Sequence, residues 1–217
     1  MTNDEILLNT LDYVRQELQD DSSGHDWWHV RRVWRNAVAI CEREGADRFV
    51  VELAALLHDL DDWKLDPSAD GRPVRAEAWL ARMGVDAQVI GAVCSIITHL
   101  SFKGAGVENR IDTLEGRIVQ DADRLDAIGA VGIGRAFAYG GHKGRAMHDP
   151  DEPPRFHATF EDYKNSRGTT VNHFHEKLLL LKERMNTGTA KRIAEARHAY
   201  MEDFLEQFMK EWDGLDV

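Results

Sequence analysis

Apolar residues recur at intervals of three and four along most of the chain, which is the period of amphipathic helices. We find no convincing alternation with a period of two, so no strand is predicted. The pattern therefore predicts an all-α fold. The predicted helices are a first one carrying Ile6, Leu7, Leu11 and Val14, followed by others over about residues 27–43, 47–63, 74–83, 86–99, 111–130, 160–186 and 190–212.

Glycine, proline and aspartate separate these segments. Gly45 and Gly84 are predicted helix ends, and Asp47 is the predicted N-cap of the third helix. Residues 139–154 contain three glycines and three prolines, which predicts a long loop of the kind that is often functional or mobile. We expect one domain over residues 1–217, closed by a pair of long helices over about 158–213. Those helices could alternatively supply a homodimer surface.

Composition is typical of a globular protein. The 217 residues are 43% hydrophobic and include six tryptophans, which is enough for a sizeable core. No apolar stretch reaches the roughly 18 residues that cross a bilayer, and the acidic start lacks the features of a signal peptide. We therefore expect a cytoplasmic protein without a membrane partner. The only cysteines, Cys41 and Cys94, fit buried apolar roles in a reducing compartment, with a structural disulfide as the less favoured alternative.

Net charge limits the class of partner. Lysine and arginine number 27 against 38 acidic residues, for a net charge of −11. Such a surface repels a phosphate backbone, so binding to nucleic acid is not expected. Small phosphorylated substrates remain possible, because one bound cation and a few lysines can reverse the field locally.

The first candidate site is the His58-Asp59 pair. His58 follows Ala54 by four residues on the predicted third helix, so its side chain should point inward. Burying an imidazole and the adjacent carboxylate without partners is costly, and a bound cation would relieve that cost. The alternative is an exposed acidic helix end, although negative charge is disfavoured at the C-terminus of a helix.

Two more segments place polar residues on apolar helix faces. His25 and His29 lie four residues apart, and His29 adjoins the inward stripe of the second helix. Asp123 follows Val119 by four residues, again on an apolar face. A lone histidine at such a position is more often a core or capping residue than a ligand, so neither segment is decisive by itself.

In combination these residues resemble the HD-domain superfamily, whose motif is a His, then His-Asp, then a distant Asp. The matching segments are His29 in His-Val-Arg-Arg-Val, His58-Asp59 in Leu-Leu-His-Asp, and Asp123 in Ala-Asp-Arg-Leu-Asp. The resemblance implies a single HD-domain helical bundle with a motif-bearing core over about 22–130. It also implies one divalent metal ion held by these four residues. The donor set suits Mn, Fe, Co, Ni or Zn, with Mg less natural and Mn favoured.

The resemblance also suggests residues around the metal. Asp62 is the implied general acid/base, with Asp61 as its rival and a solvated carboxylate as the alternative reading of Asp62. Lys64 and Lys103 lie just beyond helix ends and are candidate phosphate binders. The list of candidate substrate-binding residues is completed by His25 and His99; His99 could instead ligate a second metal, and either histidine could be merely structural.

The implied activity is hydrolysis of a phosphoester or phosphoanhydride bond of a nucleotide-like metabolite. A nucleoside triphosphate pyrophosphohydrolase or a nucleotide phosphatase is favoured. The alternatives are a non-catalytic metal- or nucleotide-binding sensor on the same fold and, less favoured, a di-iron HD oxygenase. The remaining histidines before residue 180 are interpreted as loop and surface residues, namely His142, His148, His157, His173 and His175.

Overall fold

Helices make up all the regular secondary structure in residues 1–18, 26–61, 72–100, 111–155 and 168–216, which are the residues that the computed structural model describes. The all-α prediction is confirmed. The helices are α1 (Asn3–Leu18), α2 (Trp27–Glu44), α3 (Arg48–Leu57), α4 (Val74–Arg82), α5 (Ala87–Leu100), α6 (Leu114–Asp126), α7 (Gly129–His142), α8 (Thr170–Glu176) and α9 (Gly188–Trp212), with short 3₁₀ turns at Leu178–Leu180 and Lys182–Arg184. Within these described ranges no helix combines the length and the apolar character needed to span a bilayer.

Contacts divide the described residues into two compact units. Residues up to 123 form the first unit and those from 124 onward form the second. A single domain over the whole chain stays a prediction.

The core of the first unit is built on α3. Every residue of this helix from Val50 to Leu57 is buried, and α1, α2 and α5 all pack against it. Its one buried charge, Glu52, accepts hydrogen bonds from Trp34 Nε1 at 2.8 Å and Arg48 Nε at 2.6 Å. A helix so apolar on all sides can only be central in a fold of this size.

The predicted caps and the inward stripe of α2 are confirmed. Asp47 accepts hydrogen bonds from Phe49 N and Val50 N at the start of α3. Gly45 ends α2 with a φ of 80°, a left-handed conformation that glycine adopts without steric cost. The apolar stripe that was predicted from the spacing on α2 is buried, with Val30, Val33, Ala37 and Ile40 fully inaccessible.

The third helix is shorter than the predicted segment 47–63. It ends at Leu57, and residues 58–61 form turns. Two bonds accompany this change: the His58 ring contacts the Ala55 carbonyl, and Leu60 N donates to the Leu57 carbonyl over only three residues. Side-chain bonding to nearby carbonyls competes with the regular helical ladder, and such competition is not visible in apolar spacing.

The predicted helix over 111–130 is also interrupted. The chain leaves α6 after Asp126, and α7 begins at Gly129, whose φ is 76°. A positive φ cannot continue a right-handed helix, so two helices replace one. The second of them runs to His142, which takes the first four residues of the predicted 139–154 loop into a helix.

In the second unit the predicted helix over 160–186 is wrong in its described part. Residues 168–186 contain the seven-residue helix α8 and two 3₁₀ turns, and residues 156–167 lie outside the described residues. Lys177 stops α8 with φ −141° and ψ −58°, far from helical values. The last predicted helix is confirmed as α9, which Thr187 caps by accepting a hydrogen bond from Ala190 N.

Aromatic side chains form the core of the second unit. Phe137 of α7 lies within 6.0 Å, between ring centroids, of Phe174, Phe204 and Phe208. Residues 204 and 208 are four apart on α9, so they present one face to α7. In the same unit, Arg124 donates a hydrogen bond to the Arg184 carbonyl.

A candidate metal centre

Two histidines and a carboxylate meet inside the first unit. One ligand atom from each of His29, His58 and Asp59 can be chosen so that all three lie within 4.8 Å of one another. His29 Nε2 is 3.2 Å from Asp59 Oδ2, and His58 Nε2 is 3.4 Å from Asp59 Oδ1. The residues come from α2 and from the turn that follows α3, and the packing of these two helices brings them together.

Asp123 of α6 completes the predicted set of four. Its Oδ1 lies 3.5 Å from His29 Nε2, and α6 carries it within the first unit. Neighbouring ligands of an octahedral ion with bonds of about 2.1 Å are separated by roughly 3 Å. The observed separations are therefore close to those of adjacent positions around one cation.

The four side chains differ sharply in exposure. His29, His58 and Asp59 are 1%, 3% and 6% exposed, whereas Asp123 is 39% exposed. Three donors thus approach from the core, and Asp123 is the donor in contact with solvent. Such an arrangement can hold a cation from the interior while leaving positions open to water and to an incoming ligand.

The His58 ring is oriented for binding through Nε2. Its Nδ1 lies 2.9 Å from the Ala55 carbonyl oxygen, which can only accept, so Nδ1 is the donor and Nε2 is the nitrogen left to bind a metal. That Nε2 is buried and makes no hydrogen bond within the described residues. A buried ring nitrogen 3.4 Å from a carboxylate oxygen of the same cluster fits a metal ligand, because a cation would satisfy both atoms.

His29 is placed by the cap of its helix. Asp26 accepts a hydrogen bond from His29 N at 2.8 Å, which makes His29 the third residue of α2. Asp26 was not among the residues predicted from the sequence. The preference for aspartate immediately before a helix could have identified it.

Comparison with known proteins shows the family of the chain. Residues 27–128 match the model of the HD domain family, and that range contains all four residues. YpgQ of Bacillus subtilis is 42% identical over 206 residues, an alignment that covers 94% of this chain and 93% of YpgQ. The chain belongs to the HD-domain superfamily.

Solved structures share the fold over nearly the full length of the chain. A Lactobacillus plantarum protein is similar with a TM-score of 0.85 and 41% identity, covering 99% of this chain and 100% of the other. An HD-superfamily hydrolase of Bacillus thuringiensis has a TM-score of 0.78 and 46% identity, covering 98% and 99%. YpgQ in complex with ADP has a TM-score of 0.79 and is 37% identical in the structural alignment, which covers 100% of both chains.

Asp61, the rival to Asp62 as acid/base in this HD protein, has a structural contact. Its carboxylate accepts hydrogen bonds from Arg75 N at 3.0 and 3.2 Å and from Ala76 N at 3.3 Å, in the first turn of α4. The Asp61 carboxylate therefore has a structural role as a cap of the α4 N-terminus.

The other predicted residues fall into two groups. His99 is exposed in the last turn of α5, with Nδ1 2.7 Å from the Ser95 carbonyl oxygen, and among the described residues the close group of donors does not include it. The remaining candidates lie outside the described residues, namely His25, Asp62, Lys64 and Lys103.

The loop and surface interpretation of the remaining histidines is partly wrong. His173 lies in α8 and is half-buried, and removal from water lowers its pKa to about 3, with Lys177 and Arg145 acting in the same direction. His148 is half-buried with its ring 5.3 Å from that of Trp212, whereas His142 and His175 are exposed. His157 lies outside the described residues.

The two cysteines are free thiols. Cys41 is buried and Cys94 is half-buried. Burial raises the pKa of both thiols, so neither is activated as a nucleophile. Their properties fit the predicted apolar role.

Proposed function

We propose that this HD protein is a metal-dependent phosphohydrolase that cleaves a phosphoester or phosphoanhydride bond of a nucleotide-like metabolite. The observation that carries the proposal is the buried cluster of His29, His58 and Asp59. Asp123 lies on the solvent side, with its Oδ1 3.5 Å from His29 Nε2. Nitrogen and carboxylate donors in these numbers suit a divalent transition metal, with manganese favoured.

The protein contributes orientation and charge balance to this site. His29, His58, Asp59 and Asp123 would hold the cation, and His58 is held in the required tautomer by the Ala55 carbonyl. The cation, when bound, lowers the pKa of a coordinated water and polarises a phosphoryl oxygen. Two carboxylates neutralise a dication, so the anionic substrate meets a site without net negative charge despite the −11 charge of the chain.

Proton transfer is assigned to Asp62. Asp61 is engaged in capping α4, which leaves Asp62 as the favoured acid/base among the two carboxylates considered. Lys64, Lys103, His25 and His99 remain the proposed contacts to substrate. Phosphate recognition would come from the lysines, since they carry the charge that an anion requires.

A nucleotide is the favoured substrate class. The structure of YpgQ with ADP supports it, because YpgQ is similar to this chain over the full length of both. The two favoured reactions are release of pyrophosphate from a nucleoside triphosphate and release of phosphate from a nucleotide.

A screen of phosphate and pyrophosphate release tests the proposal. Metal-stripped protein is reloaded with Mn, Co, Ni or Mg and assayed with nucleoside mono-, di- and triphosphates. We expect metal-dependent turnover of at least one nucleotide class. The double variant His58→Ala/Asp59→Ala should lose both stoichiometric metal and turnover, whereas Asp4→Asn, which changes a carboxylate in the first turn of α1, should keep both.

Two results would contradict the proposal. One is a fully metal-loaded protein that is silent across the whole panel, which would favour the sensor alternative. The other is stoichiometric metal retained by the double variant, which would place the metal elsewhere. Two metal ions per chain in the wild type would favour the di-iron alternative instead.

A further inference from the structure

The His58-Asp59 pair lies in a stretch without a regular helical ladder. The third helix ends at Leu57, and residues 58–61 turn. Leu60 anchors this turn in the core at 2% exposure, and its N–H donates to the Leu57 carbonyl at 3.2 Å. The direction of the Asp59 carboxylate therefore depends on the contacts that hold the turn rather than on helix geometry.

The first turn of α4 binds the opposite side of this stretch. The Asp61 carboxylate caps α4 through Arg75 N and Ala76 N, and Arg75 Nη1 donates to the Leu60 carbonyl at 2.9 Å. The turn at residues 58–61 and the first turn of α4 thus each donate or accept hydrogen bonds with the other. A carboxylate of the turn satisfies the helix, and a guanidinium of the helix satisfies the turn.

The guanidinium of Arg75 is fixed at its outer end as well. Its Nη2 pairs with Glu17 of α1, so one planar group connects α1 with the Leu60 carbonyl, which lies one residue beyond Asp59. Lysine has a single nitrogen on a flexible stem and cannot reproduce this rigid fork. The Arg75 and Glu17 side chains are 43% and 38% exposed, so their ion pair contributes little to global stability.

We infer that Arg75 is a positioning residue for the metal ligands His58 and Asp59, acting through the Leu60 carbonyl. The inference rests on the proposed metal centre. Without the guanidinium, the peptide between Leu60 and Asp61, one residue beyond Asp59, loses a bond that defines its orientation. A metal site requires donor distances within about 0.2 Å. Loss of an outer-shell partner typically weakens metal binding about 10- to 100-fold. Arg75 acts through backbone, so we expect the lower end of this range.

Calorimetric titration of Mn²⁺ into metal-stripped full-length protein, without nucleotide, tests this role. Arg75→Ala should bind Mn²⁺ about tenfold more weakly than the wild type, and Arg75→Lys should fall between the two. The matched control is Arg82→Ala on the same helix, whose guanidinium lies over the Trp79 ring at 4.9 Å from its centroid. That variant should keep wild-type affinity.

The inference is overturned if Arg75→Ala binds Mn²⁺ as the wild type does, or if Arg82→Ala weakens binding equally. Should Arg75→Ala fail to fold, Glu17→Gln decides, since it releases only the outer end of the guanidinium. A measurable weakening then supports the inference, and wild-type affinity overturns it. Absence of Mn²⁺ binding by the wild type would instead refute the metal centre itself, and the inference with it.

Discussion

Two glycines of α7 provide a matched pair for testing the structure, because they lie two residues apart and differ in what surrounds them. A Cβ on Gly132 would lie 2.5 Å from the carbonyl carbon of Ala127 and closer still to its oxygen. A Cβ on Gly134 would meet nothing within 4 Å. Ordinary carbon contacts begin near 3.5 Å, so Gly132→Ala requires the backbone at Ala127 to move by about 1 Å.

The two substitutions should change the free energy of unfolding in opposite directions. Gly134→Ala should stabilise the protein by about 1 kcal/mol, because alanine has the higher helix propensity. Gly132→Ala gains the same helix propensity, but its Cβ also collides with the Ala127 backbone, which cannot rotate away as a side chain can. At a cost of about 3 kcal/mol for that strain, the net loss is about 2 kcal/mol.

Thermal and urea unfolding measure both variants. For a chain of this length about 1 kcal/mol corresponds to about 2–4 °C, so the melting temperature should rise by about that amount in Gly134→Ala and fall by about 4–8 °C in Gly132→Ala. A Gly132→Ala protein as stable as the wild type would refute the close approach of the Ala127 carbonyl. A destabilised Gly134→Ala would refute the open environment of that position.

Three further predictions concern the candidate centre and the titration of a buried histidine. Asp26→Ala should lower the free energy of unfolding by about 1 kcal/mol through loss of the cap on α2, and it should weaken Mn²⁺ binding because the cap places His29. The control is Asp86→Ala, which removes a bond to Gln88 N near the start of α5 and should leave Mn²⁺ affinity unchanged in the same titration. Mn²⁺ at 100 times its dissociation constant should stabilise the wild type by about 2.7 kcal/mol, seen as a higher melting temperature that chelator reverses, and His58→Ala/Asp59→Ala should show no such shift. Because burial lowers the pKa of His173 to about 3, the contribution of the neutral ring to stability is fully present above pH 6.5 and is lost as the pH falls from there towards 3. In urea unfolding, the stability of His173→Gln should therefore fall less steeply over this pH range than that of the wild type. Identical pH profiles would contradict the assignment.

Local sequence signals determined most of the elements and pointed to the candidate ligands. Helix periodicity and the caps at Gly45 and Asp47 were sufficient for α2 and for the start of α3, because caps and apolar stripes act over one or two turns of chain. The four candidate ligands were recognisable because they lie on or beside apolar helix faces and match the motif of the HD superfamily. In the folded chain, ring and carboxylate atoms lie within 3.5 Å of each other in three pairs, namely His58 with Asp59, Asp59 with His29, and His29 with Asp123.

Tertiary structure decided where helices stop and which distant segments contact the turn that carries His58 and Asp59. The early end of α3 accompanies the bond from the His58 ring to Ala55, and the break at Gly129 depends on a backbone conformation that an isolated helix would not adopt. Arg75 shows the limit most clearly, because it reaches the Leu60 carbonyl 15 residues away and Glu17 58 residues away. Apolar spacing reports which face of a helix is buried, whereas a hydrogen bond between distant segments exists only once the chain has folded.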